Sequence, residues 1–195
     1  MPRAVIDPEG FEAKFQENID PWNYATSPFE AYKRRILLRA CGTRVHGRTL
    51  ELACATGDTT IALLPKSLRL LAQDSAPTAI EETRRRLGGN PRVSILLGRL
   101  PREMPRGPFD LIVASQIFYY LKPNDLRLLL LRIGRALAPC GRLVMLHHLK
   151  DFDDAAIRPR LAQAQAFSAV RPPMRLAYLH QTDRFQAAAF DKGIR

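Results

Sequence analysis

The chain has 195 residues, of which 46% are hydrophobic and 25% charged, and a formal net charge of +11. That length and balance fit one ordinary globular domain over residues 1–195 and exclude a disordered or fibrous chain. The longest apolar runs, at 128–131 and 143–146, are far below the roughly 20 residues of a membrane span, and the N-terminus lacks the apolar core of a secretory signal.

Residues 1–45 read as an N-terminal helical cap. Phe11, Phe15, Trp22 and Tyr24 put aromatic rings ahead of a helix whose start is marked by Ser27, Pro28 and Glu30, a capping hydroxyl followed by proline at the first helical position and an acid three residues on. From residue 46 the pattern alternates. Strands are expected at 49–54, 67–73, 92–97, 109–115 and 142–148. Helices are expected at 57–64, 77–87, stopped by Gly88 and Gly89, and from Pro123 to about Leu137, capped by Asn or Asp. Such alternation specifies βαβ units, hence a Rossmann-like α/β fold with a mostly parallel, doubly wound sheet and helices on both faces. A helix at about 153–169 and two strand-like runs, 174–180 and 184–190, then predict an antiparallel hairpin at one sheet edge.

In an open parallel sheet, ligands bind beyond the carboxyl ends of the strands, near the point where strand order reverses. After the first strand come Ala53, Cys54, Ala55, Thr56 and Gly57, all small enough to let a ligand approach the backbone. After the second come Asp74 and Ser75, where a carboxylate about twenty residues beyond the first turn can accept hydrogen bonds from both hydroxyls of a ribose. Ser115, Gln116, Tyr119 and Tyr120 follow the fourth. Gly57 is the only glycine of the first turn, and neither a Gly-x-Gly-x-x-Gly run nor a phosphate loop is present. A nucleoside without phosphates suits this turn better than a dinucleotide. Each feature has a plainer reading as well: Asp74 as a helix cap, the tyrosines as packing residues.

With these residues in place, the sequence resembles the NodS-like branch of class I S-adenosylmethionine-dependent methyltransferases over about residues 11–190. The likeness is carried by Asp20-Pro21-Trp22-Asn23-Tyr24, Pro28-Phe29-Glu30, Leu50-Glu51-Leu52-Ala53-Cys54-Ala55-Thr56-Gly57, Phe109-Asp110-Leu111-Ile112-Val113 and Tyr119-Tyr120-Leu121. It implies S-adenosylmethionine as cofactor and methyl transfer to N or O of a small molecule, with an amino sugar or oligosaccharide as the family's kind of acceptor. It further implies that Glu51 and Gly57 shape the methionine-binding turn, that Asp74 holds the ribose hydroxyls and that Leu100 lies near the adenine. Ser115 and Gln116 would border the methionine part, and Trp22 and Tyr24 would fold over the cofactor as a lid. The sequence departs from the family pattern in four places. Ala53 replaces the first glycine of the turn, Gln116 stands where Glu is frequent, Arg99-Leu100 stands where an acidic residue often contacts the adenine, and Cys140 replaces a glycine ahead of the fifth strand. If position 53 needs a positive φ, its methyl group costs about 1–2 kcal/mol.

For the proton that an amine or hydroxyl acceptor must lose, His147 near the end of the fifth strand is the first candidate, with His148 beside it and Tyr119 and Asp151 as further choices. Strand alternation sends the two histidines to opposite faces; a plain structural role for His147 carries the greater weight. No metal-ligand spacing is present. Cys41, Cys54 and Cys140, an odd number, fit a reduced, cytoplasmic setting. The charge permits an RNA substrate, although the chain has no aromatic RNA-binding motif and no basic tail. A degenerate, non-catalytic binding module of the same fold is the remaining alternative. The sequence carries no signal for an oligomeric state.

Overall fold

The computed structural model describes residues 5–194. Two helices open the chain. In α1 (Pro8–Glu17), Asp7 caps the first turn by accepting the Gly10 N–H at 2.8 Å. In α2 (Pro28–Ala40), Ser27 Oγ accepts the Glu30 N–H at 3.4 Å, the cap the sequence signals. The alternating core follows as β1 (His46–Leu52), α3 (Asp58–Leu63), β2 (Ser67–Asp74), α4 (Pro77–Leu87), β3 (Val93–Leu97), β4 (Phe109–Ser115), α5 (Pro123–Ala136) and β5 (Leu137–His148). It ends with α6 (Pro159–Val170), β6 (Arg175–Gln181) and β7 (Phe185–Asp191).

The strands form one seven-stranded sheet in the order β3-β2-β1-β4-β5-β7-β6. The first five run parallel, while β7 joins β5, and β6 joins β7, antiparallel. The doubly wound fold with its C-terminal hairpin is therefore the observed one. Strand order reverses between β1 and β4, and that switch point is where the informative residues converge.

Alternation along the central strands feeds two cores. Ile112, Ala114, Leu143, Met145, Ala188 and Phe190 pack with α5 and α6 on one face. Leu111, Val113, Val144, Leu146, Ala187 and Ala189 pack with α2 on the other. This double burial explains why β4 reads as an unbroken apolar run.

Besides shifts of a few residues at other ends, such as β1 at His46–Leu52 where the sequence predicts 49–54, the structure differs from the sequence reading in three places. The strand β5 begins at Leu137 instead of 142, because Leu137 already pairs with Phe109 and the register then shifts. Within this stretch Cys140 takes a left-handed φ of 59°. The helix α6 begins only at Pro159; residues ahead of it are tied to other parts of the chain, as where the Ile157 N–H reaches Tyr119 O. Third, α5 is preceded by Lys122 and has no side-chain cap, so the expected Asn or Asp cap is not used. Proline at its first turn removes one unpaired N–H in its place. At the open edge, β3 leaves Leu96 and Leu97 41% and 52% exposed.

Candidate functional site

The turn from β1 into α3 is built from left-handed residues: Ala53 at φ 56°, Ala55 at 49° and Gly57 at 86°. It is pinned from behind. The Cys54 N–H donates to Gln73 O, the Gly57 N–H donates to Cys54 O, both at 3.0 Å, and Thr83 Oγ1 donates to Ala55 O at 2.8 Å. A Cβ on Gly57 would stand 2.9 Å from Thr83 Cγ2, so glycine is required there for both conformation and room. The methyl of Ala53 is held in a region that costs an L-residue about 1–2 kcal/mol. Ala53→Gly is therefore expected to raise stability by about 0.5–1 kcal/mol, the strain relief less the extra freedom glycine gives the unfolded chain; urea unfolding measures it.

Asp74 closes β2 and faces this turn. Its Oδ2 accepts the Ala55 N–H at 2.9 Å, and its Oδ1 accepts the Ala76 N–H at 3.0 Å. Each oxygen retains a further lone pair. Burial raises the Asp74 pKa, and the backbone donors pull it back. Asp74 braces the start of α4, its plainer reading, and it also lines the cavity.

That cavity, about 310 Å³, lies at the carboxyl ends of β1, β2 and β4, a volume at the lower end of small-ligand sites. Trp22, Tyr24, Ala53, Asp74, Ser75, Leu100, Ser115 and Gln116 all line it, so eight positions singled out in the sequence are brought together. The helix α1 closes its outer side with Phe11 and Phe15, whose rings stand 6.2 and 5.5 Å from that of Trp22. Glu12 reaches the first turn of α4, where it accepts the Thr78 N–H and hydroxyl at 3.1 and 2.6 Å. Ion pairs Glu9–Arg99 and Lys14–Asp154, at 2.6 and 3.0 Å, hold the same helix at two further points.

A smaller polar recess of about 50 Å³ shares Tyr24, Ala53, Ala55, Ser115 and Gln116 with the main cavity. Glu51 lines it, and its Oε2 is buried without a hydrogen-bond partner. Burial pushes the Glu51 carboxyl up to about 8, with Asp74 and Asp58 acting in the same direction. The other wall is the α2 face of Glu30, Lys33, Arg34 and Leu37. Lys33 pairs with Glu30 at 2.7 Å, and burial lowers its pKa. Sequence reading missed this wall. The signal was available in charges spaced three and four apart beside the buried Leu37.

Gly57 shapes the turn without lining either space. Tyr119 lies behind the cavity wall, buried, its hydroxyl donating to Gln116 Oε1 at 2.7 Å. That same oxygen accepts the His148 N–H at 2.9 Å. A backbone donor needs an acceptor, so the amide orientation is fixed and Gln116 Nε2 is left as the free donor. His147 is not brought to the cavity. It is fully buried on the α6 face, stacked on Phe118 at 4.2 Å, and its Nε2 accepts the Phe118 N–H at 3.2 Å. Burial drives its pKa down to about 3. A neutral ring committed to a backbone donor cannot serve as an exchanging base, and the structural reading of His147 is the one the geometry supports.

Part of the basic complement holds main-chain carbonyls: Arg44 with Cys140 O, Arg86 with Thr56 O, Arg132 with Arg102 O, Arg142 with Ala40 O, and Lys192 with Gly134 O and Leu137 O. Among the described residues there is no cluster of three or more His, Cys, Asp or Glu able to hold a metal ion. No helix among them is long and apolar enough to cross a membrane.

A parallel sheet whose strand order reverses, with a small-residue turn facing a buried aspartate at the next strand's end, defines a Rossmann-like α/β protein with its cavity at the switch point. The model for Nodulation protein S (NodS) matches residues 12–148, and the chain belongs to that family. Its sequence is 34% identical over 127 residues to a Nodulation protein S of Rhizobium tropici, covering 64% of this chain and 53% of that one. It is 38% identical over 106 residues to the Nodulation protein S of Bradyrhizobium diazoefficiens, covering 53% and 50%. The chain thus spans about half the length of the curated relatives it matches. The fold is that of the N-methyltransferase NodS from Bradyrhizobium japonicum WM9, solved with S-adenosyl-L-homocysteine, at a TM-score of 0.79 and 22% identity, covering 93% of this chain and 97% of that one.

Proposed function

We propose that this protein is an S-adenosylmethionine-dependent methyltransferase acting on a nitrogen or oxygen of a small molecule, with an amino sugar or oligosaccharide amine as the preferred acceptor. The observation that carries the reading is Asp74, buried at the switch point with lone pairs left for a ribose, opposite a turn that has the single glycine Gly57 in place of a Gly-x-Gly-x-x-Gly run. NodS membership and the N-methyltransferase named in the solved relative support the reaction class and the amine. We read residues 1–195 as one domain whose first 45 residues form the cap. The cysteines Cys41, Cys54 and Cys140 are free, which supports a cytoplasmic setting.

The residues present fit the cofactor. Asp74 would hold the ribose hydroxyls, with Ser75 and Leu100 beside the base and Trp22 and Tyr24 covering it. The orphaned Glu51 carboxyl and the α2 charges would meet the methionine end. When bound, S-adenosylmethionine supplies a methyl group already activated on a sulfonium. The chain's own task is then to hold the acceptor in line and keep water out. Gln116 Nε2, Ser115 and Tyr24 border both spaces and so flank the place where the two ligands must meet.

The test is calorimetric titration with S-adenosylhomocysteine at pH 7 in two buffers of different ionisation enthalpy. Micromolar binding is expected, with release of a fraction of a proton. A cationic amino group brought beside Glu51 draws its carboxyl from about 8 toward the ionised form. Glu51→Gln should abolish the proton release. Absence of binding by folded protein at millimolar ligand would leave a non-catalytic module of the same fold as the better account.

A further inference from the structure

We propose that His148, at the carboxyl end of β5, is the group that takes the proton from the methyl acceptor. This rests on the methyltransferase reading above. Strand alternation places His148 on the α2 face, the one carrying Val144 and Leu146, whereas His147 faces α6. Leu146 lines the polar recess. The next residue on that face, about 7 Å further along the strand, is His148, one step beyond the residues that line the recess and within the influence of Lys33, which is one of them.

Its backbone is tied directly to the site, since its N–H donates to Gln116 Oε1 and Gln116 N–H donates to Leu146 O, both at 2.9 Å. Any shift of the β4 end therefore moves with His148. The ring is half-buried and, among the described residues, neither ring nitrogen has a hydrogen-bond partner. Two of the other candidates are committed. Tyr119 donates to Gln116, and burial raises its pKa far beyond use at neutral pH; His147 is sealed in the core.

The charged groups around His148 come from three directions. Lys33, paired with Glu30, faces it from α2; Arg184 does so from the turn into β7; Lys150, paired with Asp183, follows on its own strand's exit. Burial is the largest influence, and with these cations it lowers the imidazole pKa, so the ring is neutral and able to accept a proton at pH 7. In the step itself, an N–H proton of the acceptor passes to the open ring nitrogen and its electron pair remains on nitrogen. As the amine lone pair forms the N–C bond to the methyl, the C–S bond breaks and its electrons stay on sulfur. The imidazolium then returns the proton to solvent, to which the half-buried ring is open.

The experiment measures initial rates of methylation of glucosamine and of fully deacetylated chitotetraose from pH 5 to 9, for wild type, His148→Asn and His148→Gln. S-adenosylhomocysteine affinity is read alongside as the control for folding. Both variants are expected to lose about 10²- to 10³-fold in kcat with cofactor affinity within threefold. Their rates should climb tenfold per pH unit where the wild-type profile is level, and added imidazole should restore part of the loss. Parallel pH profiles with kcat within threefold would overturn the proposal. So would wild-type protein that binds S-adenosylhomocysteine yet methylates neither amine. Failure to bind S-adenosylhomocysteine at all would instead strike the methyltransferase reading itself.

Discussion

Asp74→Ala is expected to weaken S-adenosylhomocysteine binding by a hundredfold or more. Two hydroxyls donating to one buried carboxylate make charge-assisted hydrogen bonds of about 1.5–3 kcal/mol each, and the substitution removes both. It also strips the acceptors from the Ala55 and Ala76 N–H groups, so some loss of stability must accompany it. Asp74→Asn separates the two effects. One amide oxygen can still serve a backbone donor, while the second position becomes a donor facing the ribose. That variant keeps one of the two backbone acceptors, so it should lose less stability in urea than Asp74→Ala and still bind at least tenfold more weakly. Wild-type affinity in a folded Asp74→Asn protein would show that Asp74 serves only the turn.

The second large effect is on stability in acid. His147 is fully buried and titrates at about 3, against about 6.5 in an unfolded chain. The folded value lies below the unfolded one. The unfolded chain therefore takes up a proton first as pH falls, and the contribution, complete above about 6.5, is lost progressively toward about 3. By pH 5 this single group should remove about 2 kcal/mol of unfolding free energy, at 1.36 kcal/mol per unit. His46 and His148 are shifted in the same direction by burial and add to the slope. His147→Phe fills the space but leaves the Phe118 N–H without an acceptor, at a cost of about 1–3 kcal/mol at pH 7. Urea unfolding at pH 7 and pH 5 should therefore show a less stable variant with a shallower acid dependence. Equal slopes would place the titrating group elsewhere.

Much of the site was legible in the sequence because it follows from strand ends. Asp74, Ser75, Ser115 and Gln116 were placed by where the apolar strand runs stop. The left-handed Ala53 was foreseeable only through the likeness to a family with glycine there. Tertiary partners were not legible. Nothing local distinguishes His147 from His148. Only the packing of α6 against one face and α2 against the other decides which ring is sealed and which stays half-buried. The same holds for Glu30, Lys33 and Arg34, which read as a solvated helix face until α2 is laid beside the β1 turn. The start of β5 at Leu137 was hidden because a Pro-Cys-Gly turn is a helix-stop signal, and pairing with Phe109 overrides it.

The outer strand β3 has a consequence for handling the molecule. Its sequence, Val-Ser-Ile-Leu-Leu, combines strong extended preference with no charge, and two of its leucines are open to water. An unpaired edge of this kind invites a second chain to add itself as an eighth strand. The chain opposes this locally. Arg84 donates to Ile95 O at 3.3 Å and so occupies a main-chain acceptor of that edge, and Arg92 and Arg99 flank the segment. On this view the +11 charge works as colloidal protection: molecules repel before their edges can meet. Concentrated stocks should keep best at low ionic strength, where that repulsion reaches furthest, and high salt should promote fibrillar or amorphous aggregates that begin at β3.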